Sequence, residues 1–344
     1  MNFNKKQVLK NTITTLIVVV SIYLAFRGIN LQVLWKYIIE ANYIYIIAPI
    51  PIMVLSHWVR AVRWRTILKP IHKHSSLYNL FSAVSIGYAV NNLLPRGGEI
   101  VRPYVFSKNE NISFSSTFAT IILERLLDVL TLLILFGFTF ILYSDKILAL
   151  LPSSIDITKI TYLVVIFLIA VIFAFYPPFI KFVLNKLIKP FSEKLFNRIN
   201  EIFSKFLKGF AIIKEPKLYA TLAFQSILIW LLYSLPLFIM FYAFDFSSKG
   251  MNFLDAILLL VASGISFSIA PTPGSIGVFH WMVKIILVKF YGVSGEQALA
   301  FATVNHGVNY LLQLFLGGYF IVVNKSWKTV LNFSLSKQKP AESE

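Results

Sequence analysis

The chain has 344 residues, 57% of them hydrophobic and 14% charged, with a mean hydropathy of +0.74. That apolar content excludes a soluble globular protein and points to a polytopic membrane protein. The formal net charge of +17 does not indicate nucleic acid as partner, because the Lys and Arg residues gather between apolar runs, as in cytoplasmic loops of membrane proteins; the absence of cysteine removes disulfide and thiol chemistry.

Lys5, Lys6 and Lys10 precede the first apolar run, 11–27. No small-residue cleavage site follows it and Arg27 comes directly after, so it reads as an uncleaved first span. Further runs near the ~20 residues that a bilayer requires lie at 43–63, 115–143, 159–177, 218–243 and 297–323. Two more apolar segments stop at breaks. Leu77 to Leu94 ends in Pro95-Arg96-Gly97-Gly98-Glu99, and Phe253 to Ala270 ends in Pro271-Thr272-Pro273-Gly274-Ser275-Ile276-Gly277. Backbone polar groups cannot go unpaired in lipid, so a break at membrane depth must sit in protein or line a wet cavity. Matching breaks in two halves of a chain point to a transporter's binding site.

Loop charges set the orientation. The loop after the second span carries Arg60, Arg63, Arg65, Lys69 and Lys73, and the stretch 178–217 carries nine Lys and Arg against three Glu. Loops 28–42, 144–158 and 244–252 are nearly neutral. With the basic loops inside, both termini are cytoplasmic, and each broken segment must enter and leave on one side, the two from opposite sides. The expected fold is an all-α integral membrane protein: six full transmembrane helices plus two oppositely oriented re-entrant helical hairpins in an inverted repeat. The first repeat is 1–145 with its hairpin at 77–113. The second is 157–324 with its hairpin at 253–291 and a basic insertion at 178–217, read either as an amphipathic helix on the inner leaflet or as a cytoplasmic helical linker. A basic, disordered cytoplasmic tail, 325–344, follows. Arg60, Arg63 and Arg65 read as snorkelling anchors at the membrane face.

Ionisable residues within spans are functional candidates. Glu124 lies about ten residues into its span, ~15 Å deep at 1.5 Å per residue. Glu124 and Asp128 share a face at i, i+4, and Arg125 can pair with Asp128 at i+3. In the last span, Asn305, His306, Asn309 and Gln313 reach a similar depth from the other side. At the hairpins, a half-helix N-terminus is expected to offer free N–H groups to an anion, Gly97, Gly98, Gly274 and Gly277 to allow close backbone approach, and Arg96 and Arg102 to grip phosphate. Glu99 can hold an arginine or accept a proton. The bland alternative for all of these is a neutralised network that merely locks the bundle. The sequence contains no Walker loop, no metal-ligand spacing and no Gly-x-Ser-x-Gly, so neither a cofactor nor a metal is expected and no catalytic residue is assigned.

Asn91-Asn92-Leu93-Leu94-Pro95-Arg96-Gly97-Gly98-Glu99-Ile100-Val101-Arg102, Glu124-Arg125-Leu126-Leu127-Asp128, Pro271 to Gly277, and Arg60-Ala61-Val62-Arg63-Trp64 together resemble the lysylphosphatidylglycerol synthase transmembrane-region, or flippase-like domain, family. The resemblance covers nearly the whole chain and implies a stand-alone membrane domain without the aminoacyltransferase found in the best-known members, which move aminoacylated phospholipid between leaflets. It puts His280 at a position where the pattern can carry a carboxylate.

The expected function is a flippase or transporter that moves an anionic phospholipid or polyprenyl-phosphate-linked lipid by alternating access in the cell membrane. Asn91, Asn92, Pro95, Arg96, Gly97, Gly98, Glu99, Arg102, Arg125, Pro273, Gly274 and Gly277 would bind the headgroup. Glu124, Asp128, His280, Asn305, His306 and Asn309 would relay charge or gate. Alternatives are a membrane-embedded glycosyl- or lipid-transferase subunit and a non-transporting scaffold of an envelope-synthesis complex. Membrane lipids are the expected partners, and a homodimer stays open.

Overall fold

The computed structural model describes residues 5–149, 215–269 and 272–325, with isolated positions between 150 and 214. The expected fourth span, nearly all of the basic insertion and the tail beyond Lys325 lie outside the described residues. Among the described residues the fold is all-helical.

Helix α1 (Lys5–Phe26) ends at Gly28, whose φ of +74° terminates it. Asn30 then caps α2 (Leu31–Glu40), accepting from the N–H groups of Gln32 and Val33. The two helices meet at 81°. The segment 28–42, expected as a loop, is therefore largely an amphipathic helix: Leu34 is buried while Leu31 and Trp35 are exposed. The turn α3 (Ile44–Ile47) leads into α4 (Ile50–Leu68), which starts between Pro49 and Pro51, where a missing N–H costs nothing.

Two groups of helices then share one order. In the first, α5 (Leu77–Leu93) and α6 (Gly98–Asn109) are joined by a Pro/Gly turn between the long helices α4 and α7 (Phe114–Leu148). In the second, α9 (Phe253–Ile269) and α10 (Val278–Tyr291) are joined by a Pro/Gly turn between α8 (Tyr219–Ala243) and α11 (Gly295–Val323). The stretches Ile44–Leu68, Phe114–Leu148, Pro216–Ala243, Pro273–Tyr291 and Gly295–Val323 are long and apolar enough to cross a membrane, and the bent pair α1–α2 makes a sixth. The protein is a multi-pass membrane protein. Helices α5, α6 and α9 are shorter: at 12 to 17 residues they reach about 18–25 Å, less than the ~30 Å hydrocarbon core.

Helix α5 is the hub. It packs against α4, α6 and α11, and buries residues on nearly every side, from Leu80 through Val84, Ile86 and Gly87 to Asn92. A helix enclosed all round has no polar face to show, which is why its sequence lacks amphipathic period. Small residues allow the close crossings. A Cβ on Gly98 would run into the Gly87 carbonyl, and one on Gly317 would meet Ala89 and Ser85. The polarity of α6, unusual for a membrane helix, is accommodated because Val101, Arg102, Val105 and Phe106 are enclosed by α5 and α7. The core of the second group is built on aromatic and aliphatic contacts: Phe241, Phe246 and Phe301 pack together with Met240, Leu259 and Leu287. Exposed Ile134 and Ile141 on α7, and Leu311 and Phe315 on α11, form the outer apolar faces.

Gly98→Ala should shift α6 off α5 and destabilise the protein by about 1–3 kcal/mol. Thermal unfolding in detergent checks this, with exposed Gly137→Ala, which meets nothing within 4 Å, expected to be neutral.

Candidate functional site

A charged cluster joins α4, α6 and α7. Glu124 is fully buried. Arg102 grips it with both terminal nitrogens, each 2.9 Å from a different carboxylate oxygen, and Arg60 Nε lies 2.6 Å from Oε1. Arg63 reaches the same oxygen at 3.7 Å. One turn on, Asp128 accepts from Arg60 and Arg63 at 2.5 Å each. The far sides of the arginines are also satisfied: Arg60 donates to the Tyr233 hydroxyl at 3.0 Å and Arg63 to Ser226 Oγ at 3.1 Å, both on α8. Tyr233 in turn shares a hydrogen bond with Tyr88 on α5. Arg102 stacks over Trp64, 4.0 Å from its centroid, and Trp64 donates to Thr120.

Arg60 and Arg63 are thus buried ion-pair partners, not snorkelling anchors; of the three arginines read that way, only Arg65 is exposed. The physical reason is that Glu124 and Asp128 cannot stay ionised in an apolar interior without fixed cations beside them. A sequence signal existed: Arg60 and Arg63 at i, i+3 with Trp64 beside them form a stripe complementary to Glu124 and Asp128 at i, i+4.

Arg125 stands apart. Its side chain is 38% exposed, 3.7 Å from Glu99 and 3.5 Å from Asp128. With Glu99, Tyr88, Asn91, Gly98 and Arg102 it lines a small cavity between α5, α6 and α7. The N-terminus of α6 at this cavity is not free, contrary to expectation. Gly98 N–H donates to Asn91 Oδ1 at 2.8 Å, and the N–H groups of Gly97, Glu99 and Ile100 bond to the carbonyls of Leu94, Arg96 and Gly97. Asn91 closes the turn that Pro95 and Gly97 begin, so anion binding here falls to side chains.

The two turns touch. Arg96, held at φ +57°, donates to the Ser268 carbonyl at 3.0 Å. Asn92 donates to the Tyr310 carbonyl at 3.2 Å, and the Tyr310 hydroxyl donates back to the Asn92 carbonyl at 3.3 Å. His306 Nε2 is 2.7 Å from the Gly274 carbonyl, which fixes its proton on that nitrogen. His280 packs edge-on against His306, ring centroids 4.9 Å apart. Pro273 begins the short turn that carries Gly274. Three expected residues are directed elsewhere. Gly277, at φ +89°, lets the turn press onto Ser21 and Ile22 of α1; Asn305 faces Met240 on α8; and Asn309 bonds back to the Asn305 carbonyl.

A family model described as the lysylphosphatidylglycerol synthase TM region matches residues 11–317. The chain belongs to that family. Among its relatives, a UPF0104 membrane protein of Pyrococcus horikoshii is 27% identical over 330 residues, covering 90% of this chain and 95% of the relative. One from Methanocaldococcus jannaschii is 25% identical over 334 residues, covering 93% and 97%. The glycosyltransferase AglD of Haloferax volcanii is 35% identical over 82 residues, 24% of this chain and 13% of that enzyme. No solved structure matches. In this member of the lysylphosphatidylglycerol synthase transmembrane-region family, Arg60 and Arg63, Arg102, and Glu124 to Asp128 form one cluster, Glu99 of the first turn faces Arg125, and Arg96 connects that turn to α9.

Removing one member of the buried set leaves its partners uncompensated. Glu124→Gln should destabilise the protein by about 3–5 kcal/mol. The double variant Arg102→Met/Glu124→Gln should cost less than the sum of its single changes, and a double-mutant cycle on thermal unfolding in detergent measures the coupling.

Proposed function

We propose that this protein moves an anionic lipid headgroup, a phospholipid or a polyprenyl-phosphate-linked lipid, between membrane leaflets, and that it is a transporter rather than an enzyme. The observation that carries this is the charge balance of the cluster. Arg60, Arg63, Arg102 and Arg125 stand against Glu99, Glu124 and Asp128, one cation in excess. An unmatched cation in a low-dielectric setting favours an anionic ligand. Arg125, the most exposed arginine of the four and the one held only by longer contacts, is the cation that a ligand can reach. Its fork matches a phosphate bidentately. Arg102 and Glu124 hold each other and act as positioning residues, while Glu99 and Asp128 are the carboxylates that the headgroup displaces from Arg125.

The short lengths of α5, α6 and α9 and the Pro/Gly break after each group's first inner helix support two re-entrant hairpins, with the acyl or prenyl tails left in lipid. The repeated element order supports two inverted repeats that rock against each other, as in transporters built from such repeats. The termini are then cytoplasmic. His306 and His280 beside Gly274 are the gating groups of the second hairpin. A second reading is favoured by the match to a glycosyltransferase: a membrane-embedded subunit in glycosyl or lipid transfer. Transfer product formed from a lipid-linked sugar by the purified protein would favour it.

Purified protein in liposomes should equilibrate fluorescent phosphatidylglycerol between leaflets faster than empty liposomes, read by dithionite quenching. Loss of an ionised hydrogen bond is worth about 1.5–3 kcal/mol, so Arg125→Ala should slow the movement roughly 10- to 100-fold without changing unfolding temperature. Wild-type protein that leaves every anionic lipid tested at the background rate refutes the reading. Because the chain has no cysteine, single cysteines at Ser248 and Lys73 report topology directly: impermeant reagents should reach the first only from outside intact cells and the second only from the cytoplasm.

A further inference from the structure

The contacts between the two turns form a latch, and one member of it is charged. Arg96 donates to the carbonyl of Ser268 at 3.0 Å, in the last turn of α9, where unpaired carbonyls carry the negative end of the helix dipole. Beside it, Asn92 at the end of α5 pairs with Tyr310 of α11, and His306 of α11 bonds the Gly274 carbonyl, so α11 ties the two turns together. All of these except Arg96 are neutral hydrogen bonds. Arg96 also occupies a left-handed backbone conformation, φ +57°, that a side chain rarely adopts, and is otherwise exposed.

We propose that Arg96 is the substrate sensor of this latch: the anionic phosphate group of the ligand takes the guanidinium from the Ser268 carbonyl and thereby separates the turns. This rests on the reading that the protein carries an anionic headgroup. A carbonyl offers Arg96 a dipole and no net charge, whereas a phosphate offers net charge and two oxygens matched to the guanidinium fork. In the closed state the Ser268 carbonyl takes Nη2, one arm of the guanidinium fork, so the ligand gains the full bidentate contact only in the open one. A ligand shifts an equilibrium by its difference in affinity between two states, and here that difference is built into a single side chain. Neutral lipid has no such advantage and leaves the latch closed. Asn92, Tyr310 and His306 then reclose it by neutral contacts once the phosphate has left.

The chain without cysteine makes the test direct. Spin labels at Leu94→Cys and Phe267→Cys, both on exposed side chains flanking the latch, report the separation of the turns by pulsed electron resonance. The expected result is one short distance in nanodiscs of phosphatidylcholine and a longer distance for most molecules when phosphatidylglycerol is included. A separate arm adds inorganic phosphate to the phosphatidylcholine sample: opening there assigns the signal to free phosphate, and opening only with phosphatidylglycerol assigns it to the lipid headgroup. Arg96→Gln loses the charge and is too short to reach the Ser268 carbonyl; with Asn92, Tyr310 and His306 intact it should stay closed in phosphatidylcholine and fail to open with either anion. Arg96→Lys should still open. The proposal is overturned if neither anion changes the distance in the wild-type background, or if Arg96→Gln opens as the wild type does. Lipid movement measured on the same samples separates the two ideas. Movement without any change of distance rejects the latch and leaves transport standing; a responsive latch without movement of any lipid rejects transport alone.

Discussion

The organisation of this protein depends on keeping carboxylates charged in an apolar interior. Glu124 has no exposure at all, and an isolated carboxylate there would cost several kcal/mol or give up its charge. Three arginines from two other helices answer it. That requirement fixes where α4, α6 and α7 stand relative to one another, because each must bring its charge to one point. It also ties in α8, whose Tyr233 and Ser226 each accept from one further nitrogen of Arg60 and Arg63.

A second constraint is steric. α5 must pass between α6 and α11 at distances that only small residues permit, and it does so at Gly87 against Gly98 and at Ala89 against Gly317. The close approach of α5 and α6 puts Asn91 within reach of the Gly98 N–H and closes the turn. Charge pairing and close packing therefore act on the same short helix pair: α6 carries Arg102 into the cluster and Glu99 to the cavity, and its position is set by the glycine at its start. The turn that results points Arg96 at the second broken segment. The buried cluster is held by several short ion pairs, whereas a single charged contact, from Arg96, joins the first turn to α9.

Much of the fold was legible from composition and spacing. Long apolar runs marked α4, α7, α8 and α11, and Pro/Gly breaks marked the two turns, because lipid allows few other ways to end a helix. Glu124, Asp128 and Arg125 stood out as charges inside an apolar span. Arg60 and Arg63 read as anchors in the sequence because they lie toward the end of their span, where a side chain reaching for water and one facing a carboxylate have the same local pattern. The anion-binding N–H groups expected on α6 were spoken for because Asn91, seven residues earlier, folds back onto Gly98. The helix at Leu31–Glu40 was hidden by its mixed composition, which suits a boundary between lipid and water better than either medium.

By itself the sequence determined that this is an α-helical membrane protein, where its long helices α4, α7, α8 and α11 run, where two apolar segments break and which residue types are charged within the spans. Those follow from the bilayer, which acts on each segment independently through transfer free energy and backbone hydrogen bonding. Only the tertiary structure decided which arginine answers which carboxylate, which cation a ligand can reach and which atoms of the two turns meet. Those are relations between segments far apart in the chain, Arg60 with Asp128 or Arg96 with Ser268, and no local pattern encodes the distance between them.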